Sequence, residues 1–218
     1  MLKGRKDGTF AAAEKLVDKA GNILRLGQYW DDVANKWTGV ENSQFKEFLG
    51  IGVAPFDWDD DGDTDLVIGA NEGDVFLRLN AGSREKPEFE IESVRVLAGG
   101  RPMSVPGGEA IPFVADWDAD GLPDILSGGG EGGVVWYRNV GKKGAPVFAP
   151  AKVIVDRKKE SGSLAEPTWP GTRTQACAAD FDGDGDLDLL VGDYNAAPWR
   201  KEGGQPEMHG WVWLFRRR

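Results

Sequence analysis

Three runs of aspartate carry the most distinctive chemistry in this sequence. Each run is a nine-residue segment with Asp at positions 1, 3, 5 and 9 and Gly at position 6. Calcium binds about six to eight hard oxygen ligands, and short carboxylate side chains on alternate residues can converge on one ion. Gly at position 6 allows the sharp turn that brings position 9 back towards the ion. The runs therefore predict about three Ca²⁺ sites.

The predicted ligands fall at the same positions in every run. Positions 1, 3, 5 and 9 supply carboxylates, and position 7 supplies its backbone carbonyl, because Leu122 at this position has no side-chain oxygen. The predicted metal ligands are Asp57, Asp59, Asp61, Asp63 and Asp65 in the first run, Asp116, Asp118, Asp120, Leu122 and Asp124 in the second, and Asp180, Asp182, Asp184, Asp186 and Asp188 in the third.

A helix–loop–helix calcium site, the EF-hand, is an alternative for such a loop. That site needs a bidentate Glu at position 12 and a helix after the loop. Position 12 here is Ile68, Ser127 or Val191, and each lies in a short run typical of a strand. The acidic loops are therefore predicted to connect strands.

Other residues offer little catalytic chemistry, and no catalytic residue is predicted. His209 is the only histidine, which argues against a Ser-His-Asp triad or a zinc site, and we expect it on the surface. Cys177 is the only cysteine, so no intrachain disulfide can form. We expect Cys177 to be a small buried residue, with a nucleophile as the alternative.

Nine tryptophans are a high number for 218 residues. Trp58 and Trp117 occupy the same position of the first two acidic runs, where the third run has Phe181, and we expect them to pack in the core. Four others fall in polar connections, where exposed rings could stack on sugars; they are Trp30, Trp37, Trp169 and Trp199. Anchoring a loop is the alternative role for each.

The acidic runs belong to a longer repeat. A shift of 59 residues aligns the first run with the second, and a shift of 64 residues aligns the second with the third. Each unit contains four short strand patterns, one before the run and three after it. The pattern before the second run is Ile111–Ala115, and the segments that fit outer edge strands in the first two units cover residues 89–97 and 148–155. Four strands in about 60 residues make one blade of a β-propeller. We therefore predict an all-β fold with three full blades, at residues 51–97, 110–155 and 173–218.

The segments outside the regular strands of the three blades are predicted to be an extra strand, a linker and an insertion. Residues 1–21 resemble the outer strand of an adjoining blade, residues 22–50 a decorated linker, and residues 196–209 an insertion in the third blade. We expect residues 10–17 to pair beside residues 211–216, in a homodimer or within a longer parent chain, because an unpaired apolar edge strand is avoided.

The sequence resembles the FG-GAP, or VCBS-type, calcium-binding repeats of integrin α-subunit propellers and of many bacterial secreted proteins. The three acidic runs carry the resemblance, together with the apolar residue that follows each run: Leu66, Ile125 and Leu189. The resemblance covers almost the whole chain beyond residue 50 and implies that calcium makes each loop rigid. Three blades are too few to close a ring, since known rings use about four to eight.

The resemblance implies a calcium-stabilised scaffold that is extracellular, on a cell surface or periplasmic, and that binds a protein or a glycan. A calcium-dependent polysaccharide lyase is the alternative, and it would need a basic cleft, for which Arg173, Arg200 and Lys201 are candidates. No stretch of the sequence approaches the length of an apolar membrane span. The net charge of −10 argues against a nucleic-acid partner.

Overall fold

The computed structural model describes residues 7–9, 13–24, 29–31, 33–38, 50–157, 167–196 and 208–217. Within these ranges the chain forms strands and no helix, which confirms the predicted all-β class. The strands are β1 (Tyr29–Asp31), β2 (Lys36–Thr38), β3 (Gly50–Phe56), β4 (Asp65–Ala70), β5 (Val75–Arg78), β6 (Val94–Arg95), β7 (Leu97–Ala98), β8 (Arg101–Pro102), β9 (Ile111–Ala115), β10 (Asp124–Gly128), β11 (Val134–Tyr137), β12 (Lys152–Val155), β13 (Thr172–Ala179), β14 (Asp188–Ala196), β15 (Met208–His209) and β16 (Val212–Phe215). A helix able to cross a membrane is absent from the described residues.

Three four-stranded antiparallel sheets follow one another along the chain. The first sheet has the order β3-β4-β5-β6, and the second has the order β9-β10-β11-β12. In the third sheet β14 lies between β13 and β16, and the far end of β14 also pairs with β15. The acidic runs connect β3 to β4, β9 to β10 and β13 to β14, so each loop joins the first two strands of a sheet.

The edges of the sheets differ from the sequence prediction. Outer strands were predicted over residues 89–97 and 148–155, but β6 and β12 are only two and four residues long. Phe89 and Phe148, at the start of these segments, form isolated bridges instead. The two ends of the insertion predicted at residues 196–209 pair with each other through β14 and β15.

Adjacent sheets pack face to face through the apolar residues of their central strands. Val67 on β4 and Ile125 on β10 are fully buried in one cluster, and Leu126 on β10 and Leu189 on β14 are buried in a second. Side chains alternate along a strand, so one face of each sheet meets the preceding sheet and the other meets the following sheet. We call the face that meets the following sheet the forward face.

A glycine in each forward face sets how closely two sheets approach. A Cβ added to Gly69 would lie 2.0 Å from the carbonyl oxygen of Ala110, and a Cβ added to Gly128 would lie 2.0 Å from that of Thr174. Both distances are far inside van der Waals contact, so only glycine lets the neighbouring backbone come this near. At the equivalent Gly192 of the third sheet, a Cβ would meet no described atom within 4 Å.

The forward face of the third sheet is uncovered in the part of the chain that the structure describes. Val212 is 77% exposed and Leu214 is also exposed, whereas Val75 and Leu77 at the same positions of the first sheet are buried. Cys177 lies on this face and is exposed. The prediction that Cys177 is buried is therefore wrong, because no described sheet packs on this side.

The described part of the N-terminal segment lies on the first sheet. Val17 bridges Ile23 in a hairpin, and the N–H of Lys19 donates to the carbonyl oxygen of Phe89 at 2.8 Å. One sheet later, the β7–β8 hairpin makes the same contact, since its turn donates an N–H to the Phe148 carbonyl oxygen at 2.8 Å. The two hairpins thus hold equivalent places on successive sheets.

This position differs from the pairing predicted between residues 10–17 and residues 211–216. Leu16 packs against a cluster of the first sheet that contains Phe76, and Asp18 forms a parallel bridge with Phe89. Within this chain the described residues 13–17 therefore lie at the first sheet, and the pairing beside residues 211–216, which was expected with a partner chain or in a longer parent chain, stays a prediction. The first sheet already offers the bridging partner and the apolar surface that the hairpin needs.

The close approach of the sheets predicts opposite effects for two equivalent substitutions. Gly128→Ala should lower the free energy of unfolding by about 1–3 kcal/mol, because the methyl group overlaps the Thr174 carbonyl and the sheets must separate. Gly192→Ala should be neutral or stabilising by up to about 1 kcal/mol, because its surroundings are open and Ala restricts the unfolded chain. Urea unfolding of both variants measures the difference. Equal losses would mean that the forward face of the third sheet is covered in solution.

Candidate metal centres

The first three carboxylates of every acidic loop converge. One oxygen from each of the three aspartates lies within 4.8 Å of the other two. The clusters consist of Asp57, Asp59 and Asp61 in the first loop, Asp116, Asp118 and Asp120 in the second, and Asp180, Asp182 and Asp184 in the third. Positions 1, 3 and 5 are therefore brought together as predicted, whereas positions 7 and 9 lie outside these mutual clusters.

The backbone of the three loops follows the same path. The N–H of Gly62, Gly121 and Gly185 at position 6 donates to the aspartate at position 1, at 3.2, 2.9 and 3.2 Å. The N–H of position 7 donates to Oδ1 of the aspartate at position 5, at 3.0 Å in every loop. These glycines have φ values of 91°, 87° and 98°, a region that residues with a Cβ disfavour.

Position 4 also has a left-handed backbone, which the sequence did not reveal. Asp60, Ala119 and Gly183 stand at this position with φ values of 62°, 58° and 78°. Three different residue types share the conformation, so the path of the loop imposes it. Position 4 carries no predicted ligand, and Asp60 forms an ion pair with Lys143 at 2.7 Å.

The aspartate at position 9 is buried at the base of the loop. Oδ2 of Asp124 accepts the N–H of Trp117 at 3.2 Å, and Oδ1 accepts the N–H of Asn139 at 2.6 Å. Asp65 and Asp188 accept the equivalent pairs of N–H groups in the other loops, at 2.7 to 3.3 Å. This side chain ties the start of the loop to the end of the third strand, whether or not it also binds a metal.

Several aspartates of the loops are in surroundings that disfavour their ionised form. Burial raises the pKa of Asp65 and of Asp124 above the ordinary value, because the ionised carboxylate loses its hydration. The pKa of Asp63 is raised as well, first by burial and then by the nearby charge of Asp61. The loops thus contain carboxylates whose ionised form the protein does not fully compensate.

A hard divalent cation fits this arrangement. Oδ1 of Asp57, of Asp63 and of Asp118 is buried and has no hydrogen-bond partner. Asp63 is only 7% exposed. A buried ionised oxygen without a partner is strongly unfavourable, and a bound cation removes that penalty. The residues present are oxygen donors of the kind that calcium prefers.

Arginines beside the second and third loops were missed in the sequence. Arg138 contacts both Asp118 and Asp120, and the Nε of Arg216 lies 3.9 Å from Oδ2 of Asp182. Each arginine directly follows the third strand of its sheet. Aligning the basic residues of the three repeats, as well as the acidic runs, would have shown that Arg138 and Arg216 occupy equivalent positions.

Among the described residues, the tryptophans considered for sugar stacking do not form one common surface. Trp30 and Trp37 are backbone partners in the β1–β2 hairpin, and Trp199 lies outside the described residues. Trp169 packs edge-on against Phe215 with ring centroids 5.5 Å apart, and its Nε1–H donates to a backbone carbonyl at 2.6 Å. Trp169 thus has the alternative role, that of anchoring a loop.

The residues at position 2 show how the following sheet affects burial. Trp58 packs against Phe148 of the second sheet with ring centroids 5.8 Å apart, and Trp117 is buried beside the third sheet, as predicted. Phe181, at the same position of the third loop, is 56% exposed. His209 is exposed, which confirms its predicted place on the surface.

Comparison with known families decides the relationship of the chain. Residues 116–191 match the FG-GAP-like repeat family. The chain therefore contains FG-GAP-like repeats. The matched segment of the FG-GAP-like chain contains the second and third acidic loops. The first loop lies outside the match but has the same hydrogen bonds at positions 6, 7 and 9.

Relatives of this FG-GAP-like chain include three integrin α chains. Integrin alpha-PS2 of Drosophila melanogaster is 28% identical over 188 residues, integrin alpha-5 of Xenopus laevis 30% over 184, and integrin alpha-4 of Xenopus laevis 26% over 159. The alignments cover 75%, 76% and 67% of this chain but only 13%, 16% and 14% of those proteins. The chain therefore spans a small part of the length of the relatives that it matches.

The buried aspartate at position 9 predicts a loss of stability that does not depend on metal. In the presence of a chelator, Asp124→Ala should lower the free energy of unfolding by about 2–5 kcal/mol, because two buried N–H groups lose their acceptor. Asp124→Asn keeps one acceptor oxygen and should cost roughly half as much. The control is Asp120→Ala at an exposed position, which should change stability little. Denaturant unfolding measures all three, and similar losses for Asp120 and Asp124 would contradict this role.

Proposed function

We propose that this chain forms blades of a calcium-stabilised β-propeller and serves as an extracellular scaffold for protein binding or adhesion. One repeated observation carries the proposal. Three loops of the same geometry each gather three carboxylates, and two of these loops contain buried carboxylate oxygens without a protein partner. One acidic loop would be ordinary on a protein surface, whereas three copies with matching hydrogen bonds favour a shared ligand.

Calcium has a structural role in this proposal. Asp57, Asp59 and Asp61 hold the ion in the first loop, and the side chains at the same positions hold it in the other two. Position 7, with Asp63 in the first loop, and the buried aspartate at position 9 complete the set of oxygen donors. A bound ion supplies the positive charge that these neighbouring carboxylates lack. The loop then becomes a rigid connection between the first two strands of a sheet.

Similarity to integrin α chains favours an extracellular, adhesion-type scaffold with a protein ligand. Stacked sheets joined by exposed loops suit such a role, because binding residues are commonly placed on loops held by a rigid framework. The three acidic loops join strands 1 and 2 of successive sheets, so the ions would stiffen the same set of connections in each repeat.

A glycan-binding surface or a lyase receives less support from the described residues. Trp169 is engaged with Phe215, and Arg173 pairs with Glu109 at 3.3 Å. Arg200 and Lys201, the other candidates for a basic cleft, lie outside the described residues. No specific observation favours an enzyme over a scaffold.

Calcium should raise the melting temperature of the protein. A site that binds only the folded state adds about 2.7 kcal/mol when the free ion is at a hundredfold excess over its Kd. For a protein of this size, 1 kcal/mol shifts the melting temperature by about 2–4 °C. Calorimetric melting in excess calcium and in excess chelator should therefore differ by several degrees or more, with magnesium as the comparison ion. An unchanged midpoint would rule out calcium as a structural ligand.

Two neighbouring residues of the first loop should respond differently to substitution. Asp61→Ala removes a proposed ligand and should remove most of the stabilisation by calcium at that loop. Asp60→Ala should retain it, because position 4 carries no ligand and Ala119 shows that this position accepts alanine. The rise in melting temperature on adding calcium, measured for both variants, tests the assignment. If Asp60→Ala lost as much of that rise as Asp61→Ala, the proposed ligand positions would be wrong.

A further inference from the structure

The three acidic loops are not electrostatically equivalent, because one of them holds a guanidinium inside its carboxylate cluster. Nε of Arg138 lies 2.5 Å from Oδ2 of Asp118, and its Nη2 lies 2.9 Å from Oδ2 of Asp120. Asp118 and Asp120 stand at positions 3 and 5, which are two of the three carboxylates that converge. The pKa of Arg138 is raised, first by the charge of Asp118, as expected when a guanidinium lies among anions.

The same position differs in each repeat. Arg138 follows Tyr137, which pairs with Ile125; the residues that follow the equivalent strand partners are Leu79 in the first repeat and Arg216 in the third. Leu79 is apolar and carries no charge to the first loop. Arg216 makes a looser contact, with its Nε 3.9 Å from Oδ2 of Asp182. The second cluster therefore has a closely paired arginine, the third has an arginine at a longer distance, and the first has a leucine at the same position.

Other cations near the loops do not contact positions 1, 3 or 5 among the described residues. In the first loop Lys143 pairs with Asp60 at position 4. In the third loop Nη2 of Arg217 lies 3.6 Å from Oδ1 of Asp186 at position 7. Arg138 thus makes the closest pairing of a protein cation with the converging carboxylates.

Arg138 takes an oxygen that the loop itself leaves available. In all three loops Oδ1 of position 5 accepts the N–H of position 7 at 3.0 Å, so Oδ2 is the oxygen that the loop backbone leaves without a hydrogen bond. In the second loop that oxygen, on Asp120, is held by Arg138. In the first loop, no hydrogen bond or ion pair of the described residues engages Oδ2 of Asp61. A bound divalent ion at the second loop must therefore displace Arg138 or remain beside its charge.

We propose that Arg138 is a built-in counter-ion that makes the second loop the weakest of the three calcium sites. This inference rests on the proposed calcium binding and ranks the loops by affinity as first, third and second. A unit charge a few ångströms from a divalent ion, even in a partly hydrated site, should weaken binding roughly tenfold or more. The charge of the second loop is then partly offset by Arg138 at low calcium, whereas the first loop depends on the ion.

Exchanging the residues between repeats tests the proposal. The variants are Arg138→Leu, which gives the second loop the residue of the first, and Leu79→Arg, which does the reverse. Arg138→Gln is a polar, uncharged companion in case leucine disturbs folding, and Arg101→Leu removes an exposed arginine of β8 that forms no described ion pair with the loops. Amide resonances of Gly62, Gly121 and Gly185, one from each loop, report calcium binding separately in a ¹H–¹⁵N titration with calcium chloride.

In the unmodified chain, the calcium midpoint should be lowest at Gly62, intermediate at Gly185 and highest at Gly121. Arg138→Leu and Arg138→Gln should lower the midpoint at Gly121 by roughly tenfold and leave that at Gly62 unchanged. Leu79→Arg should raise the midpoint at Gly62 by a similar factor, and Arg101→Leu should change none.

Two results would overturn the proposal in different ways. If removing the charge of Arg138 left the midpoint at Gly121 unchanged or raised it, the arginine would orient the carboxylates for the ion and would not compete with it. Calcium binding would stand in that case, and the ranking would be wrong. If none of the three glycine resonances moved with calcium, the proposed calcium sites themselves would be wrong, and the ranking would fall with them.

Discussion

A carboxylate buried between each acidic loop and its sheet restrains the geometry of both. Asp65, Asp124 and Asp188 accept one N–H from the second residue of the loop and another from the second residue after the third strand. The loop cannot shift relative to the sheet without leaving a buried N–H unsatisfied, which is costly. The aspartates at positions 1, 3 and 5 are consequently held close enough to repel one another. The interaction that fixes the loop therefore also creates the need for positive charge, which the repeat meets by an ion, an arginine or both.

A second set of buried hydrogen bonds extends this restraint across the sheet. Asn139 donates its N–H to Asp124, and its side-chain Oδ1 accepts the N–H groups of Gly141 and Val147 at 3.0 and 3.2 Å. Asn80 makes the equivalent contacts in the first repeat. The segment held in this way leads to Phe148, whose carbonyl oxygen accepts an N–H from the preceding hairpin. Two buried polar side chains, Asp124 and Asn139, thus connect the acidic loop to the contact between its own sheet and the preceding hairpin.

Local patterns in the sequence were sufficient to predict the central strands and the acidic loops. The strand over Ile111–Ala115 was predicted with its observed bounds, and the aspartates at positions 1, 3 and 5 meet because their spacing places them round one turn. Features that depend on the neighbouring sheet could not be predicted in this way. Cys177 is exposed because of what lies beyond its face, and Arg138 reaches the second loop from a different strand. The short outer strands reflect the same limit, because Phe89 and Phe148 bond to hairpins from other repeats.

The succession of sheets has a consequence for cooperativity. Each sheet contacts its neighbours along the chain, so the stability of the array is close to a sum of terms for single sheets and terms for the interfaces between them. The second sheet has an interface on both sides, whereas the forward face of the third sheet, around Gly192, has none among the described residues. Local opening of the third sheet therefore breaks one interface where opening of the second breaks two. Protection of backbone amides from exchange with solvent should accordingly fall from β10 to β14.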